Sequence, residues 1–172
     1  MAGCVAVARR RTRGFTLIEA VIAIGVIALL TSLVLPSFND MMARARLRAA
    51  AEDLALGLGN ARLESLRPGS GALHVTVQAG TTWCWAVGPA LQADCRGSAA
   101  GAHKVVHSAD YPGVTMTEGA NAVFDGSQQI AGITLAATFV SAQGQALRVH
   151  MTPLGRASIC AQDVRIADYP VC

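Results

Sequence analysis

Aromatic residues are scarce in this 172-residue chain: Phe, Trp and Tyr together make up 5%. A core built from it should rest on small and aliphatic side chains. Charge is scarce too, at 15% against 52% hydrophobic residues, which excludes a disordered chain, since disorder needs low hydrophobicity and high charge. The formal net charge of +3 is local: Arg9, Arg10, Arg11 and Arg13 fall within residues 1–14, which hold no acid. The remaining ten basic and eleven acidic side chains do not make a basic, nucleic-acid-binding body. There is no P-loop, no G-x-S-x-G elbow and no C-x2-C pair, so phosphate-cradling, acyl-transfer and zinc chemistry have no motif to stand on. Asp94, Asp110, Asp125, Asp163 and Asp168 lack the dense spacing of a calcium loop. His103 and His107 are four apart, but Val105 and Val106 between them suggest a strand, which would hold them ~13 Å apart at ~3.3 Å per residue. His74 and His150 read as sheet residues. No catalytic constellation, metal site or cofactor site is expected, and the chain does not read as an enzyme.

Long uncharged runs are not lacking. Ala20 to Asn39 carries no charge over 20 residues, the length of an α-helix that crosses the ~30 Å hydrocarbon core. The arginines before it place the N-terminus in the cytoplasm and everything after about residue 40 across the membrane. Five cysteines fit that topology. Cys4 falls in the basic leader, and Cys84, Cys95, Cys160 and Cys172 fall in the exported part, an even number where disulfides are permitted. Three pairings exist for four cysteines. Proximity in sequence favours Cys84–Cys95 and Cys160–Cys172.

Three readings compete for residues 1–40. An ordinary secretory signal peptide needs a shorter apolar stretch and a small-residue cleavage site, and none follows. A twin-arginine signal accounts for Arg9–Arg11, but again the apolar run is too long. The third reading rests on Gly14-Phe15-Thr16-Leu17-Ile18-Glu19, which sets a carboxylate inside an apolar segment. Intramembrane acids cost roughly 2.5–3.5 kcal/mol at mid-bilayer and mark function with a partner.

That hexapeptide, after a short basic leader and before 20 apolar residues, resembles the signal of type IV pilins and type II secretion pseudopilins. The resemblance implies cleavage by prepilin peptidase between Gly14 and Phe15, and N-methylation of the new amine on Phe15. Gly14 would let the peptidase approach the backbone closely. In a filament, the Glu19 carboxylate of one subunit would pair with the Phe15 ammonium of a neighbour, so each buried charge meets its opposite. Pro36 falls where such proteins bend their helix. The implied partners are other pilins or pseudopilins, prepilin peptidase and the inner membrane. The chain would be single-pass, with a periplasmic C-terminal domain.

After Pro36 the pattern is amphipathic. Leu47, Ala50, Ala51, Leu54, Leu58 and Ala61 form one stripe, with Arg44, Arg48, Glu52 and Arg62 on the other side. Arg48 and Glu52, four apart, are spaced to pair. Pro68-Gly69-Ser70-Gly71 stops the helix. From residue 72 the period becomes two. Leu73–Val77 and Trp83–Val87 read as half-buried strands, Gly88–Gly113 as a Gly/Ala/Ser-rich loop with a short strand at Lys104–His107, and Val114–Thr117, Ala122–Phe124, Ile133–Val140, Ala146–Thr152 and Arg156–Cys160 as further short strands. Ser141–Gln145 and Thr152–Gly155 read as turns, so the pairing should be antiparallel. The expected architecture is α+β: a basic leader (1–14), a transmembrane or filament-core helix (15–39), an amphipathic continuation (40–67) and a β-rich globular domain (68–172).

The stretch Gln145–Cys160, the segment Phe124-Asp125-Gly126 and the Trp83-Cys84-Trp85 strand are similar to the GspH/FimT group of minor pilins and pseudopilins. The terminal cysteine pair favours a type IV pilus minor pilin over a secretion pseudopilin. Some members of that group bind DNA through a C-terminal Gly-Arg-x-Arg motif. Here Gly155-Arg156-Ala157-Ser158 matches the first arginine and replaces the second. DNA is therefore a weaker candidate partner, with Arg156, Arg148, Arg165 and Lys104 as candidate phosphate contacts.

Overall fold

The computed structural model describes residues 14–97, 99, 101–126, 136–152, 156–162, 166 and 168–172; the side chains of 33–37 also fall outside the description. Residues 1–13 of the basic leader, with Cys4, the 133–135 end of one expected strand, the Pro153–Gly155 turn, Asp163 and Arg165 thus lie outside the described residues. So does the Pro36 side chain, although its backbone is helical. The chain divides into two units, Met1–Phe38 and Asn39–Cys172.

One helix, α1 (Leu17–Ser65), contributes to both. In the first unit it begins after Thr16, and its side chains are exposed wherever they are described. In the second unit the stripe Leu47, Ala50, Ala51, Leu54, Leu58 and Ala61 is buried, each residue at 3% exposure or less. The helix stops where Pro68 disfavours helical backbone at Arg67 and Gly69 supplies a φ of 84° for the turn.

The α+β expectation holds, and the described strands pair antiparallel. They divide between two four-stranded sheets, a division that local patterning does not carry. The first has the order β3-β2-β1-β5, made of β1 (Leu73–Gln78), β2 (Cys84–Gly88), β3 (Lys104–His107) and β5 (Ala122–Phe124). The second has the order β4-β6-β7-β8, made of β4 (Val114–Glu118), β6 (Ala136–Ser141), β7 (Ala146–Met151) and β8 (Ala157–Ala161). Gly80 and Met116 exchange backbone hydrogen bonds of 2.8 and 3.2 Å, stitching the sheets together. At the other end, Ala161 N–H donates to Pro170 O (2.8 Å) and Cys172 N–H to Ala161 O (3.0 Å). The C-terminal residues thereby lie along the edge of β8.

The core is mostly small and aliphatic, as expected, and four of the scarce aromatics are buried within it. Trp83, Trp85, Phe124 and Phe139 are its largest buried side chains. Trp83 donates from Nε1 to Val114 O (2.8 Å), meets Phe139 edge-on at 5.2 Å and stacks on Tyr111 at 6.0 Å. Trp85 reaches α1 at Gly57. A Cβ there would stand 2.6 Å from the indole, so the residue must be glycine for helix and sheet to close. Gly126 meets the same demand against the Ser65 carbonyl at the end of α1.

β2 departs from the half-buried pattern, because all five of its residues are buried. Trp85 and Val87 join the main core, while Cys84 and Ala86 form a second cluster with Cys95 on the opposite face. The covering segment is the Gly/Ala/Ser-rich stretch after Gly88. It is tied down by the Cys84–Cys95 disulfide (Cα–Cα 5.8 Å). Gln92 N–H adds a bond to Thr76 Oγ1 (2.9 Å), and Gln78 Nε2 adds one to Ala93 O (2.8 Å). Arg96 Nε donates to Thr82 O (2.8 Å). The second disulfide, Cys160–Cys172 (Cα–Cα 5.0 Å), fastens the C-terminus to β8.

Candidate functional site

The sequence places its chemistry at the start of α1. Gly14 is exposed, and Phe15 is 76% exposed. Thr16 precedes the first helical residue. Its carbonyl accepts the first helical hydrogen bond from Ala20 N–H (3.2 Å), and its Oγ1 accepts from Glu19 N–H (3.3 Å). Thr16 is therefore an N-cap, satisfying one of the donors a helix start leaves open. Glu19 sits in the first turn, where the helix dipole favours a carboxylate. The capping role of Thr16 is missed when the hexapeptide is read as a processing motif alone. The Thr-x-x-Glu spacing was the available sign.

Beyond the cap the helix shows apolar surface all round. Ten large apolar side chains from Phe15 to Leu30 are each more than half exposed. The two polar side chains of residues 20–32 return to their own backbone: Thr31 Oγ1 to Ile27 O (2.5 Å) and Ser32 Oγ to Leu29 O (2.8 Å). Such a surface asks for no water. Among the described residues no helix is long and apolar enough to cross a membrane. The uncharged run Ala20–Asn39 continues in sequence through 33–37, beyond the described side chains.

Two of the candidate phosphate contacts, Lys104 and Arg148, lie on different sheets. Lys104, on β3 of the first sheet, donates to Asp53 Oδ1 of α1 (2.5 Å) and lies over the Trp85 ring at 4.9 Å. Arg148, on β7 of the second sheet, faces Glu118 Oε2 at 3.9 Å. Arg156 is exposed, and its backbone N–H donates to Thr152 Oγ1 (3.2 Å). Arg165 lies outside the described residues. Two of the four cations thus have carboxylate partners. Phosphate binding gains from several free cations acting together. Among the described residues no group of three or more His, Cys, Asp or Glu side chains could hold a metal ion.

The polar groups of the second unit serve its packing. Asp53 accepts from Lys104 and also from Tyr111 Oη (3.2 Å). Its neighbour Glu52 accepts from Tyr169 Oη (2.5 Å). Arg48 pairs with Asp168 and lies over the Tyr169 ring at 5.9 Å. The i,i+4 pairing of Arg48 with Glu52 is thus replaced by contacts with the C-terminal residues. Those offer an aromatic ring and a carboxylate at tertiary range. Tyr111 is pushed up to about 12 by burial first, then by the Asp53 charge and hydrogen bond and by Asp110. Tyr169 also rises to about 12, by burial, the hydrogen bond to Glu52 and its charge, against a lowering from Arg48. A cleft of about 270 Å³ opens between Asn60, Glu64, Leu73, Val87, His103 and Lys104. Its charged groups are engaged elsewhere, Glu64 with Arg67 (2.7 Å) and Lys104 with Asp53. No nucleophile–base pair faces it among the described residues.

Residues 9–35 match the model of the prokaryotic N-terminal methylation motif, the motif of the type IV pilin class. Neither the curated proteins nor the solved structures hold a match to the chain. The motif marks structural subunits rather than enzymes. It implies processing by prepilin peptidase, membrane anchoring and assembly with other pilins.

Proposed function

We propose that this chain, carrying a type IV pilin-class methylation motif, is a minor pilin-like structural subunit of a type IV pilus that helps start its assembly. One observation supports this above all. The motif over residues 9–35 takes in the start of a capped helix whose described apolar side chains are exposed. Such a segment needs an apolar surrounding, first lipid and then the helices of other subunits. In this reading the peptidase cuts between Gly14 and Phe15. The freed amine on Phe15 is methylated and keeps its charge, and Glu19 of a neighbouring subunit receives it. The leader stays cytoplasmic, and residues after about 40 lie in the periplasm as the domain presented to other subunits.

The GspH/FimT assignment belongs to this proposal, resting on the resemblance of Gln145–Cys160, Phe124-Asp125-Gly126 and Trp83-Cys84-Trp85, and the terminal cysteine pair favours a minor pilin over a pseudopilin. A pseudopilin of type II secretion would share the same processing. The DNA-receptor reading is not carried forward, because Lys104 and Arg148 are paired with acids and Ser158 stands where the second arginine would be.

The test is a mass measurement on protein from cells, paired with a gene deletion. The mature chain should begin at Phe15 and carry one added methyl group. Glu19→Ala should be inserted and cleaved, yet absent from sheared filaments. Deletion should reduce piliation and leave secretion intact. A mature start near residues 36–42 would refute the pilin-like reading. A secretion defect with normal piliation would move the protein to the pseudopilus.

A further inference from the structure

The two disulfides sit in opposite surroundings. Cys84 and Cys95 are both fully buried, packed with Ala86 under the segment that covers β2. No thiolate in solvent has an approach to either sulfur. Cys160 is also buried, at 5% exposure, but its partner Cys172 is exposed. The two sulfurs of this second bridge are therefore not equivalent.

The surroundings of Cys160 supply what the departing sulfur of an exchange reaction needs. His150 Nδ1 lies 3.7 Å from Cys160 Sγ, reaching it from the adjacent strand β7. Arg148 stands directly opposite Cys160 in the strand register, but its guanidinium faces Glu118. His150 is thus the group placed beside negative charge on Cys160, and it donates to it in the tautomer that carries the proton on Nδ1. Exchange is faster when the attacked sulfur is accessible and the departing thiolate is stabilised.

We propose that Cys160–Cys172 is a thiol-exchange site for an external dithiol, and that Cys84–Cys95 is sealed against one. The attacking thiolate forms a bond to Cys172 Sγ. The Cys160–Cys172 bond breaks, and its electron pair leaves on Cys160 Sγ, which is hydrogen-bonded by His150 Nδ1–H and then takes up a proton. The second thiol of the reductant displaces Cys172 from the mixed disulfide. The reductant ends as its own disulfide, both cysteines end as thiols, and two electrons have been transferred. What the reaction removes is the covalent hold of Cys172 on β8, while its N–H bond to Ala161 O (3.0 Å) remains. The Tyr169–Glu52 and Arg48–Asp168 contacts are then left to keep the C-terminal residues against α1.

The oxidised full-length chain in detergent micelles serves for the test, with glutathione and dithiothreitol as probes. With limiting dithiothreitol, timed alkylation and peptide mapping, Cys160 and Cys172 should become labelled about tenfold or more faster than Cys84 and Cys95. With glutathione, the mixed disulfide should be found on Cys172. His150→Gln should slow opening of Cys160–Cys172 by about two- to fivefold and leave the Cys84–Cys95 rate unchanged. Equal rates for the two bridges, or earlier opening of Cys84–Cys95, would overturn the proposal. A glutathione adduct on Cys160 would overturn the order of attack. An unchanged rate in His150→Gln would remove His150 from it.

Discussion

Two stretches of α1 obey different rules. Between Leu17 and Ser32 its described side chains are exposed on every side although most are apolar. Between Leu47 and Ala61 one stripe of six apolar residues is buried, while Glu52, Leu56 and Asn60 are exposed. Both are helix, and the second is packed within its own unit. An amphipathic helix specifies a folding partner along one line. A helix that is apolar all round specifies a surrounding. The comparison separates what this protein needs in order to fold from what it needs in order to assemble.

The contrast breaks most visibly on truncation. Leu54→Ala removes a fully buried side chain and should cost about 2–5 kcal/mol of stability in the Asn39–Cys172 unit. Ile24→Ala, at 67% exposure, should leave that unit within about ±0.5 kcal/mol. Trp83 and Trp85 both lie in the second unit, so thermal unfolding followed by tryptophan signals reads it selectively. An Ile24→Ala loss comparable to that of Leu54→Ala would show that the two stretches are not independent.

A pH titration sharpens the second side of the comparison. Tyr111 and Tyr169 hold their protons to about pH 12 in the folded state, against an ordinary value of 10.0. The folded chain therefore binds these protons more tightly than the unfolded one. The stability they contribute is whole below about pH 10 and is lost as pH rises through about 12. Melting temperature should fall across that window. Replacing both residues by Phe should flatten the fall, since the rings remain and the titrating hydroxyls do not. An equally steep fall in the double variant would assign alkaline unfolding to other groups.

The smallest expected effect lies at the start of the helix. Thr16→Ala removes the side-chain acceptor for Glu19 N–H and should cost about 0.5–2 kcal/mol of local helix stability. Amide exchange should rise at Leu17–Ala20 and stay unchanged in the second unit. Thr16→Ser should restore protection. Loss of protection confined to the sheets would place the role of Thr16 elsewhere.

The patterned elements were legible from residue order because each rests on local physics. The stripe from Leu47 to Ala61 announces its buried face by its spacing, and Pro68-Gly69 announces the stop. The strands appear close to where alternation puts them: Lys104–His107 and Ala122–Phe124 are strands as expected, and Ala146–Met151 falls one residue short. The methylation motif over residues 9–35 was legible for another reason: it is carried by contiguous residues and not by a tertiary arrangement.

Other features were settled between residues far apart in the chain. The pairing of β5 with β1, the division into two sheets, and the burial of β2 on both faces depend on which strands meet and on a covering segment pinned through Cys95. Arg48 finds Asp168 across 120 positions in preference to Glu52 four away, and Lys104 finds Asp53 instead of solvent. Periodicity reports only which face a residue turns inward. It says nothing of what stands opposite, and that is decided when helix and sheets close at Gly57 and Gly126, where there is no room for a side chain.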